Sequence, residues 1–252
     1  MSKWQRINLE TFLILIFVTV SLVYILGKVD FSTPFGKPWH LLPSIHEDSL
    51  STIYKDSYQI IDKTPLRSTL LDRTKANVFV LVDAWGVPID ESILADDFRV
   101  FENVPHRFAL HRRLANYTKH AELAEFRNRA SNNVYLFGGD SLQYDRFEYI
   151  PSLGFQKTIF CGNCNNGDLI LKIDSLLNQT EPPHFIAWTV LASPVGEHDI
   201  IRLTLQQIAD LTKKHPKVQF VIQGTHRPVL CKPEIRNSYK THWVPVVVLN
   251  KE

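Results

Sequence analysis

The stretch "FVIQGTHRPVL", Phe220 to Leu230, decides how the chain is read. An apolar run stops at Gly224, and a hydroxyl and an imidazole follow at Thr225 and His226. A second run, "NVFVLVD" (77–83), ends in the same manner on Asp83. Both runs are apolar at successive positions, the pattern of strands covered on both faces. Further runs of this kind are "NVYLFGG" (133–139), "KTIFC" (157–161), "HFIAWTVL" (184–191) and "VPVVVLN" (244–250). Helical patterns lie between them at 111–130, 168–177 and 198–215. In the first, Leu114, Tyr117, Ala121, Ala124 and Phe126 are expected to share the buried face. The alternation predicts an α/β fold, a three-layer sandwich with a mostly parallel central sheet. Chemistry in such sheets collects at the carboxyl ends of strands. Asp83, Thr225 and His226 are therefore candidate site residues, and Asp83 and His226 are expected to share one cleft on adjacent parallel strands.

The remaining sequence sets bounds on this reading. The chain has 252 residues, 44% of them hydrophobic, enough for one well-packed domain. Its formal charge of +2 lacks the basic excess of a nucleic-acid binder. "TFLILIFVTVSLVYILG" (11–27) carries no charge and shows no polar face. It reads as one short transmembrane helix, a signal anchor, and "YILGKVDFS" offers no small-x-small site for cleavage. Residues 1–10 are then cytoplasmic and 28–75 a linker with an irregular extension. Residues 76–252 form the folded domain, outside the cytoplasm; Lys3 and Arg6 before the span set the orientation against Lys28 and Lys37 after it.

Taken together, "NVFVLVDAWGVP", "YIPSLGF", "VIQGTHRPVL" and "WVPVVVL" resemble the alkaline phosphatase superfamily. The branch they look most like is the sulfatase-like, membrane-anchored phosphoethanolamine and phosphoglycerol transferases of the bacterial envelope. The resemblance implies a metal ligand at Asp83 and another at His226. It implies a nucleophile at Thr118, because "TKHAEL" is similar to the family's Thr, three residues, Glu-Leu. It implies an enzyme that transfers or hydrolyses a phospho- or sulfo-group of a surface glycan or lipid, with zinc or a similar divalent ion that would activate the hydroxyl and polarise a phosphoryl oxygen. The expected partners are the membrane and a surface glycan or phospholipid, with other envelope proteins.

Two departures stand against that pattern. Thr225 occupies the place of an aspartate ligand, and "LASPVGEHD" (191–199) displaces His198 from the family's Ser-His-x-Pro element. A neutral hydroxyl in place of a carboxylate weakens a metal site, unless His120, His198 or Glu122 replaces it. The alternative is a degenerate pseudoenzyme kept as a subunit or glycan-binding module of an envelope complex. His106, Arg107, His111, Arg112, Arg113, Lys119 and His120 form either a solvated face or an anion-binding surface. Cys161 and Cys164 allow two readings: a structural disulfide of an exported domain, compatible with the resemblance, or a thioredoxin-like redox pair faced by Pro245.

Overall fold

The computed structural model describes residues 48–250 except 63–64, 73, 114–116, 128–131, 139–144, 163 and 191–197. The expected transmembrane segment 11–27 and most of the 191–199 element lie outside the described residues. In chain order the elements are α1 (Thr52–Ser57), β1 (Gln59–Ile61), α2 (Arg67–Leu70), β2 (Asn77–Val82), α3 (Glu91–Arg99), β3 (His106–Arg112), α4 (Thr118–Glu125) and β4 (Asn133–Gly138). They continue with α5 (Arg146–Leu153), β5 (Lys157–Cys161), α6 (Asn166–Leu177), β6 (Phe185–Val190), α7 (His198–Lys214), β7 (Gln219–Gly224), α8 (Pro233–Asn237) and β8 (Trp243–Leu249).

Eight strands form one sheet in the order β1-β3-β8-β7-β2-β6-β4-β5. Among the described residues, only β8 runs against the rest, antiparallel to both β3 and β7. Every residue of β2, β4, β6, β7 and β8 is buried, which is why their sequences are apolar at both parities. Val78, Val80 and Val82 face a core closed by α3, α6 and α7, through residues such as Leu94, Ile173 and Leu205. Phe79 and Leu81 face a second core closed by α2, α4 and α5, through Leu70, Ala121 and Leu153. Among the described residues, no helix is long and apolar enough to cross a membrane.

The structure corrects two expectations. Residues 111–130 do not form one helix. The segment His106–Arg112 pairs with β8 along its whole length, and α4 begins only at Thr118. Phe108 and Leu110 pack into one core and Ala109 into the other, so the segment alternates as a strand does. The buried face of α4 also differs from the expected one. Thr118, Ala121, Glu122 and Glu125 are buried, whereas Tyr117 is exposed and Leu114 lies outside the described residues. The second correction concerns the segment 28–75, read as linker and irregular extension. Its residues 52–70 hold α1, β1 and α2, and β1 joins the sheet beside β3. At three residues, β1 is too short to leave a periodic pattern.

One contact fixes the sheet edge at which the candidate residues meet. Ala84, directly after Asp83, takes a left-handed backbone with φ 55°. That turn carries the Trp85 carbonyl over the end of β7. A Cβ at Gly224 would lie 1.8 Å from the Trp85 oxygen, so only glycine fits. Gly224→Ala should therefore separate the ends of β2 and β7 and lower stability by roughly 1–3 kcal/mol, the scale of an overpacked core position. Urea unfolding measures this; a loss below about 0.5 kcal/mol, the range of a neutral surface change, would show that the contact is not constraining.

Candidate functional site

Asp83 follows β2, Thr225 and His226 follow β7, and these two strands are parallel neighbours. Thr118 opens α4, which lies over the same sheet edge. The four side chains meet, and all are buried. Asp83 Oδ1 accepts hydrogen bonds from Thr118 Oγ1 and, at 3.1 Å, from Thr225 Oγ1. His226 Nε2 lies 3.2 Å from the same oxygen and 3.3 Å from Thr118 Oγ1. The Ala84 amide donates to Thr225 Oγ1 at 3.3 Å. His226 Nδ1 lies 2.6 Å from the Arg227 carbonyl, which turns Nε2 towards Asp83. A backbone carbonyl bonded to one ring nitrogen fixes the orientation of an imidazole in this way.

A polar stripe continues down α4 from Thr118. One turn on, Glu122 Oε1 accepts from Arg146 Nη2 at 2.9 Å and from Thr189 Oγ1 at 2.7 Å, while Oε2 accepts from the Tyr149 hydroxyl. Both Glu122 and Arg146 have fully buried side chains. Burial, and then the charge of Glu122, raise the Tyr135 and Tyr149 hydroxyls above the ordinary tyrosine range, so both remain neutral. At the next turn Glu125 accepts from the Leu66 amide at 2.6 Å and faces Arg113 at 3.5 Å. Burial raises the Glu125 carboxyl and lowers the Arg113 guanidinium. The stripe ties α4 to α2, α5 and the sheet by charge as well as by packing.

Among the described residues, the donor set does not fit the expected zinc ion. A catalytic zinc takes three protein ligands from imidazole, thiolate or carboxylate and keeps one open position. Here the conventional ligands that meet are Asp83 and His226, and the other two groups are neutral hydroxyls. No group of three His, Cys, Asp or Glu suited to a metal occurs among the described residues. The residues that could have completed the set lie elsewhere. Glu122 is committed to Arg146, and His120 is exposed with its ring against Tyr117. His198 Nε2 bonds the Tyr239 hydroxyl, and its Nδ1 lies 3.6 Å from Asp97. Burial, then Asp97, push that tyrosine up to about 12.

Cys161, the last residue of β5, and Cys164, in the turn before α6, are joined by a disulfide. Both precede the helix, which starts at Asn166 behind an Asn165–Asp168 capping box. Pro245 lies in β8, five strands across the sheet from β5. The redox alternative therefore fails: neither cysteine sits in the helix, and Pro245 does not face them. The basic cluster is also divided. His111 is buried against Gln223 at 2.8 Å and Arg113 against Glu125, while His106 stacks on Phe108. Strand alternation sends these residues to different environments, so they make no single anion surface.

No family model and no curated protein sequence matches the chain. Solved structures resemble it at low identity. The lipoteichoic acid synthase LtaP of Listeria monocytogenes is 10% identical with a TM-score of 0.48, and the match covers 69% of this chain and 65% of that one. The phosphoglycerol transferase GacH of Streptococcus pyogenes, solved with sn-glycerol-1-phosphate, is 11% identical with a TM-score of 0.49, covering 73% and 70%. A protein in the alkaline phosphatase superfamily from Vibrio parahaemolyticus is 12% identical with a TM-score of 0.48, covering 71% and 60%. The chain thus spans less than two thirds of LtaP and of the Vibrio protein.

The stripe predicts an order of sensitivities. Glu122→Ala removes the carboxylate that pairs with buried Arg146 and should cost about 3–5 kcal/mol. Thr118→Val keeps the shape and loses hydrogen bonds, for about 1 kcal/mol. Equal losses in urea unfolding would show that Glu122 does not hold α4.

Proposed function

We propose that this chain is a membrane-anchored envelope protein whose sulfatase-like domain is a pseudoenzyme, a subunit or glycan-binding module of an envelope complex. Segment 11–27 is its anchor, and the folded domain lies outside the cytoplasm. The observation that carries this reading is the Thr225 hydroxyl. It stands at the end of β7 where the resembled family has a carboxylate, and it donates to Asp83 at 3.1 Å. A residue that should share a cation with Asp83 instead serves as its hydrogen-bond donor. Among the described residues, Asp83 is the carboxylate that Thr118, Thr225 and His226 share.

A second reading has its own support. Thr118 Oγ1 bonds Asp83 and lies 3.3 Å from His226 Nε2, the placement of a hydroxyl nucleophile beside a proton acceptor. On that reading the domain transfers or hydrolyses a phospho- or sulfo-group of a surface glycan or phospholipid.

Zinc calorimetry and hydrolysis of bis(p-nitrophenyl) phosphate separate the two. Wild type should bind no stoichiometric zinc and show no turnover. Thr225→Asp should raise zinc affinity tenfold or more, about 1.4 kcal/mol per decade. Without metal, the variant should melt below wild type, since two carboxylates then face each other. Zinc should reverse that loss. Stoichiometric zinc in wild type, with turnover abolished by Thr118→Ala, would falsify the pseudoenzyme reading in favour of the second.

A further inference from the structure

Three phenylalanines at the far end of the sheet form a built corner that the Thr118 centre does not use. Phe137 on β4 is buried and forms the base. Phe160 on β5 lies 5.1 Å from it, tilted by 33°. Phe147, in the first turn of α5, meets Phe160 edge-on at 5.8 Å and 78°. Phe147 is 57% exposed and Phe160 42% exposed. The corner is braced from behind. The Arg146 guanidinium lies 5.3 Å from the Phe137 ring centre, held there by Glu122. The Cys161–Cys164 disulfide closes the adjoining turn. A Cβ at Gly162 would come 3.3 Å from the Phe160 ring, so the turn fits tightly against it.

We propose that this corner binds one ring of a neutral saccharide. Size is the first argument. An aromatic side chain offers about 150–250 Å², so the two exposed rings present roughly 200 Å² together. A stable protein partner needs about 800 Å² on each side. The patch therefore suits one small ring rather than a second protein or another copy of this chain. Charge is the second argument. Asp145 and Glu148 flank Phe147 and are exposed. Two carboxylates repel an anionic lipid headgroup, but they accept hydrogen bonds from sugar hydroxyls. The electron-rich faces of the phenylalanines suit the C–H face of a pyranose. Rings already fixed by their neighbours lose little freedom on binding.

Placement adds to this. Phe160 sits near the carboxyl end of β5, at the same sheet edge as Asp83 after β2. Three strand spacings separate β2 from β5, about 14 Å across the sheet. Phe137 lies in the same core layer as α4. The inference rests on the binding-module reading for its motive and supplies that reading with a ligand class.

Saturation-transfer NMR and calorimetry with cellotriose and with chitotriose, on the wild-type protein, test it. We expect transfer to the ring protons of at least one trisaccharide, with a Kd of about 1 mM, as befits a single shallow contact. Phe147→Ala and Phe160→Ala should each weaken it at least tenfold, and Leu203→Ala, at an exposed apolar position on α7, should leave it unchanged. The proposal is overturned by the absence of transfer from both sugars, or by transfer that neither phenylalanine variant alters. Binding to phosphatidylglycerol vesicles in place of the sugars, or a dimer that Phe147→Ala abolishes, would overturn it equally. None of these outcomes depends on zinc affinity or phosphoester turnover, so failure here is distinguishable from failure of the pseudoenzyme reading.

Discussion

The arrangement at the sheet edge turns on one carboxylate oxygen. Asp83 Oδ1 is shared by Thr118, Thr225 and His226, which arrive from a helix and from a neighbouring strand. Backbone geometry makes that sharing possible. The left-handed turn at Ala84 and the missing Cβ at Gly224 let the two strand ends close together. With any side chain at 224, the hydroxyl and imidazole after β7 would move away from Asp83. The site is thus a consequence of sheet packing, and its chemistry follows from which residues the packing brings together.

Helix α4 delivers Thr118 by an unusual means. Its buried face is polar, and Thr118, Glu122 and Glu125 descend it turn by turn into separate networks. Buried ion pairs carry a desolvation cost that their attraction only partly offsets, so they are weak evidence of stability. They do bind a helix to one position, because each charge is tolerated only where its partner lies. Glu122 is satisfied by groups from α5 and β6 together, which fixes both the register and the rotation of α4. The same Arg146 that answers Glu122 lies against Phe137, so the Thr118 centre and the aromatic corner share a brace.

Much of this was legible in the sequence, and the reasons are local. Strands β2 and β7 are buried on both faces, so their apolar runs stop where the sheet stops, and Asp83 and Thr225-His226 mark the ends. Hydrophobic periodicity failed at α4 because it assumes that buried means apolar, whereas Glu122 and Glu125 are buried and Tyr117 is exposed. Nothing near Glu122 announces Arg146 or Thr189, which lie 24 and 67 residues away. Strand β3 was hidden because the apolar spacing after it drew His111 and Arg112 into a helix over 111–130, and its basic residues do not read as a strand, yet His111 is buried on Gln223. The corner of Phe137, Phe147 and Phe160 needed the β4–β5 pairing to become visible, since each phenylalanine alone reads as core.

The central claim is that the Asp83 centre is held by hydrogen bonds rather than by a metal. Anomalous scattering at the zinc edge, from crystals grown in zinc, tests it most directly. The account predicts no anomalous peak beside Asp83 and His226, and a Thr225 hydroxyl still bonded to Asp83. A strong peak about 2 Å from His226 Nε2 and an Asp83 oxygen, the usual zinc ligand distance, would contradict it.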